Sequence, residues 1–466
     1  MTVLLDVTNA TVFTSTGVLV EPVSLTLHAG RAFTILGETG SGKSLLAQAI
    51  MGILPDGLTA KGKAIIDGIA LDLANPSGHR ALWGRKVSIL PQEPWLALDP
   101  TMYADRQIAE GHRFVGGMTA TASLAAARID LAALGVADAE KKLPGELSGG
   151  MAQRVAFAAA RAGGARIVVA DEPTKGLDVS RRDDVIALLM KEIEAGGSVL
   201  TITHDLALAR QMGGDLAIMV NGRIVEQGEA ATILAHPDHD YTRRLIAADP
   251  GRWQRNASRS AIKGDPILTA RSIAKSRGGK RLFEGLDVDI GAGEIVGVTG
   301  PSGSGKSTLG DILLGLLKPD RGSVNRPAGV ARTRYQKIYQ DPPSAFPAKI
   351  RIGTNLNDLI RLHRLDPTRI TPLMERLHLS QTLLERRPDE VSGGELQRFA
   401  LLRALLLEPV FLFADEPTSR LDLITQQETI ELLSELAREQ NCAVLIVSHD
   451  AALIGHACDR SLVISS

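Results

Sequence analysis

Short apolar runs that end in glycine or in carboxylates indicate buried strands in this chain. Residues 31–36 lead into a glycine-rich segment, and residues 167–170 end at two acidic residues. Apolar runs of this kind are typical of central parallel strands, which are covered on both faces. We therefore predict strands of a parallel sheet at both places.

Helical periodicity follows the glycine-rich segment, because apolar residues recur there on one face of a helix. We predict this helix over 43–53. The alanine-rich stretch 151–161 is followed by two glycines, and it predicts a second helix.

The same pattern occurs twice along the chain. A strand predicted over 294–299 leads into a second glycine-rich segment, and apolar residues 410–414 end at a second acidic pair. Three motifs recur in the same order, namely Gly-x-x-x-x-Gly-Lys-Ser at 37–44 and 300–307, Ser-Gly-Gly at 148–150 and 392–394, and Asp-Glu at 171–172 and 415–416. The repeat predicts two domains, 1–248 and 265–466. The basic, Pro- and Ser-containing segment 249–264 is typical of a solvated, flexible linker.

Both glycine-rich segments have the chemistry of a phosphate cradle. Glycine lets successive backbone N–H groups converge on an anion, and the helix that follows adds the positive end of its dipole. Lys43 and Lys306 are placed to reach the β- and γ-phosphates of a nucleotide, and Ser44 and Ser307 to ligate Mg²⁺. We also assign to nucleotide binding Gly37, Gly40, Gly42, Gly300, Gly303, Gly305 and Thr308.

Composition narrows the classes of function. The 52 basic and 53 acidic residues balance, so nothing in the charge suggests a nucleic-acid partner. The two cysteines, Cys442 and Cys458, lack the spacing of a metal site and predict buried or half-buried thiols. No run reaches the roughly 20 apolar residues of a spanning helix, and no signal segment is recognisable. We therefore expect a chain that reaches a membrane only through another subunit.

The repeated motifs, with a histidine after a later strand in each half, closely resemble those of the ATP-binding cassette (ABC) ATPases. The Ser-Gly-Gly signature separates this family from other P-loop enzymes. The resemblance implies an α/β fold with two P-loop NTPase domains. Each domain is expected to contain a RecA-like core, an antiparallel β subdomain and an α-helical subdomain that carries the signature.

The resemblance also implies ATP hydrolysis with Mg²⁺ as cofactor. Asp171 and Asp415 are then expected to hold Mg²⁺ through water, and Glu172 and Glu416 to polarise the attacking water. Three further pairs take family roles: His204 and His449 as γ-phosphate sensors, Gln92 and Gln340 as Q-loop glutamines close to Mg²⁺, and Asp178 and Asp422 as D-loop aspartates.

In this family two cassettes pair head to tail, so that each ATP lies between the P-loop of one cassette and the signature of the other. A helix N-terminus with exposed N–H groups suits the γ-phosphate, which supports that role for the signature. The signature residues are Ser148, Gly149 and Gly150 in the first copy and Ser392, Gly393 and Gly394 in the second. Glu395 lies three positions after Ser392, which is the spacing of a capping box. Taken by itself, Ser392 is therefore explained more simply as a helix cap than as a nucleotide-binding residue.

The position that stacks on adenine differs between the copies. Phe13 lies at a suitable distance before the first P-loop, whereas the nearest match in the second half is Arg277. Guanidinium groups also stack on bases. We expect unequal nucleotide affinity at the two sites.

The segment from His236 to Thr242 resembles the tail of the peptide and nickel importer ATPases, with the pattern His-Pro-x-x-x-Tyr-Thr. This resemblance implies an importer for peptides, nickel or a related small solute. Its expected partners are two transmembrane permease subunits and, indirectly, a substrate-binding protein. The expected location is the cytoplasmic face of the inner membrane, as a peripheral protein.

Three other classes compete with an importer. A double-cassette translation factor that acts on the ribosome would carry a long, charged helical linker. A DNA-repair ATPase would carry zinc-ligand cysteines. A nucleotide-binding scaffold without turnover would not need the Lys, Asp, Glu and His that both copies retain.

Overall fold

The computed structural model describes residues 2–90, 97–174, 179–253, 266–301, 303–418, 421–448 and 450–464. The chain divides into two units, Met1–Ile246 and Ala247–Ser466. Each unit contains its own sheets and its own hydrophobic core.

The first unit contains ten described strands in two sheets. They are β1 (Val3–Phe13), β2 (Val18–His28), β3 (Ala32–Leu36), β4 (Thr59–Ile66), β5 (Ile69–Asp72), β6 (Val87–Leu90), β7 (Ile167–Asp171), β8 (Ser198–Thr203), β9 (Asp215–Val220) and β10 (Arg223–Glu229). An antiparallel sheet has the order β2-β1-β4-β5, and a second sheet has the order β10-β9-β3-β8-β7-β6. The second sheet is parallel except at β10, which pairs with β9 in the antiparallel sense.

Eight described α-helices surround these sheets. They are α1 (Lys43–Met51), α2 (Ala104–Glu110), α3 (Ala120–Ala133), α4 (Gly149–Arg161), α5 (Val179–Glu194), α6 (Leu206–Met212), α7 (Ala230–Ala235) and α8 (Asp240–Ala247). Helices α2, α3 and α4 share a separate hydrophobic cluster that includes Ile108, Leu131 and Val155. This cluster is the core of a helical subdomain.

The second unit repeats the plan with eight described strands. They are β11 (Pro266–Arg277), β12 (Lys280–Gly291), β13 (Ile295–Thr299), β14 (Arg321–Asn325), β15 (Tyr335–Ile338), β16 (Phe411–Asp415), β17 (Ala443–Val447) and β18 (Arg460–Val463). Strands β12-β11-β14 form the antiparallel sheet, and β15-β16-β17-β13-β18 form the parallel one. Its described α-helices are α9 (Lys306–Leu314), α10 (Ile352–His363), α11 (Ile370–Arg376), α12 (Gly393–Leu406), α13 (Leu423–Gln440) and α14 (Ala451–Ala457).

The predicted α/β fold is confirmed, and its topology explains why the motifs meet. In the first unit β8 lies between β3 and β7, and all three strands are parallel. The carboxyl ends of parallel strands lie at one edge of a sheet, so the glycine-rich loop after β3 and the acidic pair at the end of β7 share that edge. In the second unit β17 separates β13 from β16 in the same way.

The helix predicted over 43–53 is two residues too long at its C-terminus. Gly52 has a φ of +67° and caps α1 after Met51, so Ile53 lies outside the helix and is exposed. A glycine in the left-handed region is a common helix stop. The predicted helix over 151–161 begins two residues earlier, at Gly149.

Part of the predicted linker belongs to the second unit. Pro250 is buried, and Trp253 packs against a hydrophobic cluster of that unit. The predicted limits of the two domains, 248 and 265, thus differ from the division of the structure into units, which falls after Ile246. The flexibility of 249–264 stays a prediction.

Both cysteines are buried, and burial raises the pKa of each thiol to about 12. Within the described parts of the chain, no helix combines the length and apolar character needed to cross a membrane.

Helix α9 packs closely on strand β16. A Cβ atom built on Gly310 would lie 2.1 Å from the Cζ atom of Phe413. At the corresponding positions the first unit has Ala47 and Val169, a larger helix residue against a smaller strand residue. In the second unit the helix residue is thus the smaller of its counterparts, and the strand residue is the larger.

We expect Gly310→Ala to lower the free energy of unfolding by about 1–3 kcal/mol, because Phe413 is fully buried and cannot move aside. The better helix propensity of alanine, worth about 1 kcal/mol, offsets part of this cost. Urea titration of the full chain measures the change. Adding Phe413→Val should recover stability, and a double variant no more stable than Gly310→Ala would contradict the packing explanation.

Candidate functional site

The first glycine-rich loop curls around the end of Lys43. The Nζ atom of Lys43 donates to the carbonyl oxygens of Gly37 and Glu38, each at 2.7 Å, and lies 3.3 Å from Ser41 Oγ. Lys43 is only 5% exposed, so its ammonium group stays inside the loop at the start of α1. The loop therefore concentrates positive charge where the helix dipole also points.

The second loop has the same geometry. Lys306 Nζ donates to the carbonyl oxygens of Gly300 and Pro301 at 2.8 and 2.9 Å. Gly305 and its counterpart Gly42 cap their helices with φ values of +98° and +99°. Two independently folded loops thus present a lysine and a helix N-terminus in the same way.

Gly37 needs to be glycine for a different reason from the predicted one. Its φ is not in the left-handed region, unlike that of Gly40 and Gly42. A Cβ atom on Gly37 would lie 2.1 Å from the carbonyl oxygen of Met219 on the neighbouring strand β9. The requirement is thus close approach between two backbones.

Each P-loop serine contacts the aspartate at the end of the neighbouring acidic strand. Ser44 Oγ donates to Asp171 Oδ1 at 3.1 Å, and Ser307 Oγ donates to Asp415 Oδ1 at 3.0 Å. Hydroxyl and carboxylate oxygens are the donors that Mg²⁺ prefers, and it takes its other ligands from phosphates and water. The donor set therefore fits Mg²⁺ bound together with a nucleotide. The described residues contain no group of three or more His, Cys, Asp or Glu that could hold a metal.

Asp415 lies in a drier and more charged setting than a surface carboxylate. Burial raises its pKa, while the hydrogen bond from Ser307 and the charge of Lys337 oppose that rise. Lys337 Nζ is 3.8 Å from Asp415 Oδ2 and 2.7 Å from Asp311 Oδ1. The ammonium group of Lys337 therefore lies beside Asp415, the predicted Mg²⁺ ligand of the second site.

The two predicted general bases leave their strands in a left-handed backbone conformation. Glu172 has φ +48° and Glu416 φ +50°. Their backbone N–H groups donate to the carbonyls of Ile202 and Val447 on adjacent strands. At this turn each glutamate leaves the line of the strand that ends at the preceding aspartate. Non-glycine residues held in this region are uncommon and often lie in functional sites.

The carboxylate of each of these glutamates has partners among the described residues. Glu172 Oε1 lies 2.8 Å from His204 Nδ1, and Thr203 Oγ1 donates to its other oxygen at 3.3 Å. Glu416 Oε2 accepts from Gln340 Nε2 at 2.9 Å. The structure thus brings together the predicted base and γ-phosphate sensor in the first unit, and the predicted base and Q-loop glutamine in the second.

Three predicted site residues, Gln92, Asp178 and His449, lie outside the described residues. Asp422 is described, and its carboxylate accepts from Thr425 N at 3.0 Å to cap α13. Thr308 is half-buried within the first turn of α9. The nucleotide roles of these residues stay predictions.

Both signature serines cap the helix that follows them. Ser148 Oγ accepts from Met151 N, and Ser392 Oγ accepts from Glu395 N, each at 3.3 Å. In the second unit Glu395 Oε2 also accepts from Ser392 N at 2.8 Å, so the predicted capping box is present. Ser148, Ser392 and the glycine after each are exposed on the surface of their own unit.

The predicted adenine positions are both available at the ends of β strands. Phe13 ends β1 and is half-buried, and Lys61 Nζ lies 5.2 Å from its ring centroid. Arg277 ends β11 and is exposed.

Sequence reasoning missed three polar residues near the sites. Gln153 of α4 donates from Nε2 to the carbonyl oxygen of Pro173 at 3.2 Å, which joins the signature helix to the segment after Glu172. Gln397 holds the equivalent position after the second signature and is buried. Lys337, which is half-buried, is the third, and alignment of the two copies would have shown it as a charge in place of Ile89.

Comparison with known proteins agrees with this geometry. A family model described as ABC transporter matches residues 20–175 and 283–419. The chain belongs to the ABC transporter family, and it is an ATP-binding ATPase with two cassettes.

Two curated relatives span nearly the whole chain. The peptidoglycan transport ATP-binding protein YejF of Agrobacterium fabrum is 32% identical, over 94% of this chain and 86% of the relative. The glutathione import ATP-binding protein GsiA of Salmonella typhi is 30% identical, over 95% of this chain and 81% of the relative. The predicted resemblance to tandem ABC transporter ATPases is confirmed.

Among solved structures, a protein titled RNase-L Inhibitor matches with a TM-score of 0.66, covering 97% of this chain and 87% of that one. Its sequence is 22% identical. At this level of sequence identity the match supports the two-cassette fold and nothing further.

Proposed function

We propose that this chain is the ATP-hydrolysing, energy-coupling subunit of an ABC importer for peptides, nickel or a related small solute. The observation that carries the proposal is a complete lysine, serine, aspartate and glutamate set in each unit, joined in one chain as in YejF and GsiA. The importer-type segment from His236 to Thr242 supports the same class. It lies at the start of α8, where Tyr241 and Thr242 are buried.

Each residue of the site has a task that its position allows. Lys43 and Lys306 bind the phosphates, and Ser44 with Asp171, and Ser307 with Asp415, hold Mg²⁺. Mg²⁺ bound there would supply charge neutralisation for the phosphoryl oxygens. Glu172 and Glu416 accept a proton from the attacking water, and His204 orients the carboxylate of Glu172 through the contact at 2.8 Å.

We further propose that the ATP sites are shared between the cassettes. The exposed N-termini of α4 and α12 are suited to complete a γ-phosphate site that the other cassette begins. ATP binding then favours the closed pair, and hydrolysis releases it. This alternation would move two permease subunits between inward- and outward-facing states, with the ATPase peripheral at the cytoplasmic face of the inner membrane. A substrate-binding protein would deliver the solute.

The test is co-purification of the tagged chain from membranes solubilised in detergent, followed by mass spectrometry. We expect two permease subunits encoded near this chain, and ATP turnover that rises when those permeases and their loaded binding protein are reconstituted in vesicles. Recovery of ribosomes without permeases would instead favour a translation factor. Lack of any stimulation by the reconstituted permeases would contradict the importer assignment while leaving the ATPase intact.

A further inference from the structure

Lys337 places an ammonium group between two carboxylates of the second unit. Its Nζ atom lies 2.7 Å from Asp311 Oδ1 and 3.8 Å from Asp415 Oδ2, and its side chain is 11% exposed. Asp311 belongs to α9, the helix that begins at the P-loop lysine, and Asp415 ends β16. The ammonium group therefore connects the helix of the phosphate cradle with the carboxylate assigned to Mg²⁺.

The sheet explains why Lys337 reaches Asp415. Lys337 pairs with Phe413 in the parallel register of β15 and β16, and Asp415 follows Phe413 by two positions, on the same face of β16. The ammonium group lies 5.3 Å from the centroid of the Phe413 ring. The lysine side chain thus extends along this face toward the carboxyl end of the strand, where the P-loop serine also contacts Asp415.

The first unit has neither charge of this ion pair. Asp311 lies five positions after its P-loop lysine, and Gln48 lies at the same distance in the first unit. Ile89 pairs with the acidic strand of the first unit as Lys337 does in the second. Both charges are thus present in one copy and both are missing from the other. The shared fold does not require the pair, so its presence beside one site calls for a local reason.

The orientation of the pair determines its effect on a metal ion. The charges of Asp311 and Lys337 form a dipole, and the end of that dipole that contacts Asp415 is positive. A divalent cation held by Asp415 shares that carboxylate with the ammonium group, and the two like charges repel each other. Because Asp415 is only 4% exposed, water and salt screen this repulsion less than they would at the surface.

We propose that Lys337 is a positioning residue of the second ATP site and acts through Asp415. Its ammonium group partly neutralises that carboxylate, and as a result Mg²⁺ strengthens nucleotide binding less at this site than it would without Lys337. The first site, with Gln48 and Ile89, lacks this restraint. The inference rests on the proposed Mg²⁺ role of Asp415, and it does not depend on the importer assignment.

The test measures nucleotide binding at the second site, with Mg²⁺ and without it. Lys43→Ala in the full chain removes binding at the first P-loop, so that a fluorescent ADP analogue reports the second. We define the Mg²⁺ gain as the Kd of the analogue in EDTA divided by its Kd in saturating Mg²⁺. This ratio reports the metal alone, because a general change in the nucleotide site alters both Kd values together.

Two variants should change the Mg²⁺ gain in opposite directions. Lys337→Met/Asp311→Asn removes both charges at similar side-chain volume and should raise the gain about fivefold. Asp311→Asn alone leaves the ammonium group with the carboxylate of Asp415 and should lower the gain by a similar factor. Both variants break the same ion pair, so a purely structural role of that pair does not predict opposite signs.

The matched control is Arg369→Met/Glu408→Gln. It removes an ion pair of 2.5 Å, and Glu408 precedes β16, at the end of the strand opposite Asp415. This control should keep the Mg²⁺ gain of the Lys43→Ala parent. Urea titration checks that each variant is folded. If Lys337→Met/Asp311→Asn is not folded, Asp311→Asn decides the question by itself, because it retains the lysine.

Asp415→Asn tests the Mg²⁺ role of this residue by itself, and it should remove most of the gain. An unchanged gain in Asp415→Asn would reject the Mg²⁺ role of Asp415 and the inference about Lys337 with it. If Asp415→Asn lowers the gain while Asp311→Asn leaves it at the parent value or raises it, the role of Lys337 is wrong and the Mg²⁺ assignment stands.

Discussion

Replacing both predicted bases, as Glu172→Gln/Glu416→Gln, should slow ATP hydrolysis by about 10²- to 10⁴-fold, the usual contribution of a positioned general base. ATP binding should persist, because Lys43 and Lys306 are held by carbonyl oxygens of their own loops, which these substitutions leave in place. Glutamine keeps the size of the side chain and can still accept from Thr203. Steady-state phosphate release measures turnover, and a fluorescent ATP analogue measures binding.

Two controls make this result specific. Glu194→Gln/Glu439→Gln removes two exposed carboxylates at the ends of α5 and α13 and should leave turnover unchanged. Lys43→Ala/Lys306→Ala should lose nucleotide binding itself. Turnover near the parent rate in Glu172→Gln/Glu416→Gln would remove both glutamates from the mechanism.

The fold was predictable where local sequence determines it. The strands before each P-loop and each acidic pair are largely apolar, and the structure buries them within parallel sheets. The end of α1 was predicted two residues too late, because Ile53 continues the apolar periodicity. The helix ends before it, since Gly52 adopts a left-handed conformation and caps α1. Periodicity reports which face is buried, and it locates the last residue of a helix poorly.

The contacts that the sequence did not reveal join residues far apart in the chain. Gly37 is constrained by the backbone at Met219, and Lys337 is held by Asp311 on a different element. Neither partner is identifiable from spacing, since close approach depends on the order of strands in the sheet. The left-handed turn at Glu172 is another such case, because its backbone bond to Ile202 requires β8 beside β7.

The two sites have the same parts in unequal surroundings. Asp415 has an ammonium group nearby, and the second signature carries a carboxylate at Glu395 where the first has a methionine. These differences support the prediction of unequal nucleotide affinity on grounds other than Phe13 and Arg277.

Cross-linking the P-loop of one cassette to the signature of the other, within one chain, tests the proposal of shared ATP sites most directly. Thr39 is exposed in the first P-loop, and Ser392 is exposed at the second signature. In the Glu172→Gln/Glu416→Gln background, Thr39→Cys/Ser392→Cys should be cross-linked by a short bismaleimide when ATP is present and not in its absence. The matched pair Thr39→Cys/Ser148→Cys, which places both thiols in one cassette, should stay unlinked.

The chain suits this measurement, because Cys442 and Cys458 are buried with raised thiol pKa values and should not react. Each signature substitution removes one helix cap, worth about 1 kcal/mol, and Ser392→Cys also disrupts the capping box with Glu395. A cross-link within one chain changes its electrophoretic mobility, whereas a link between chains doubles the mass. Cross-linking of Thr39→Cys with Ser148→Cys but not with Ser392→Cys would mean that each cassette completes its own site, and the head-to-tail proposal would be wrong.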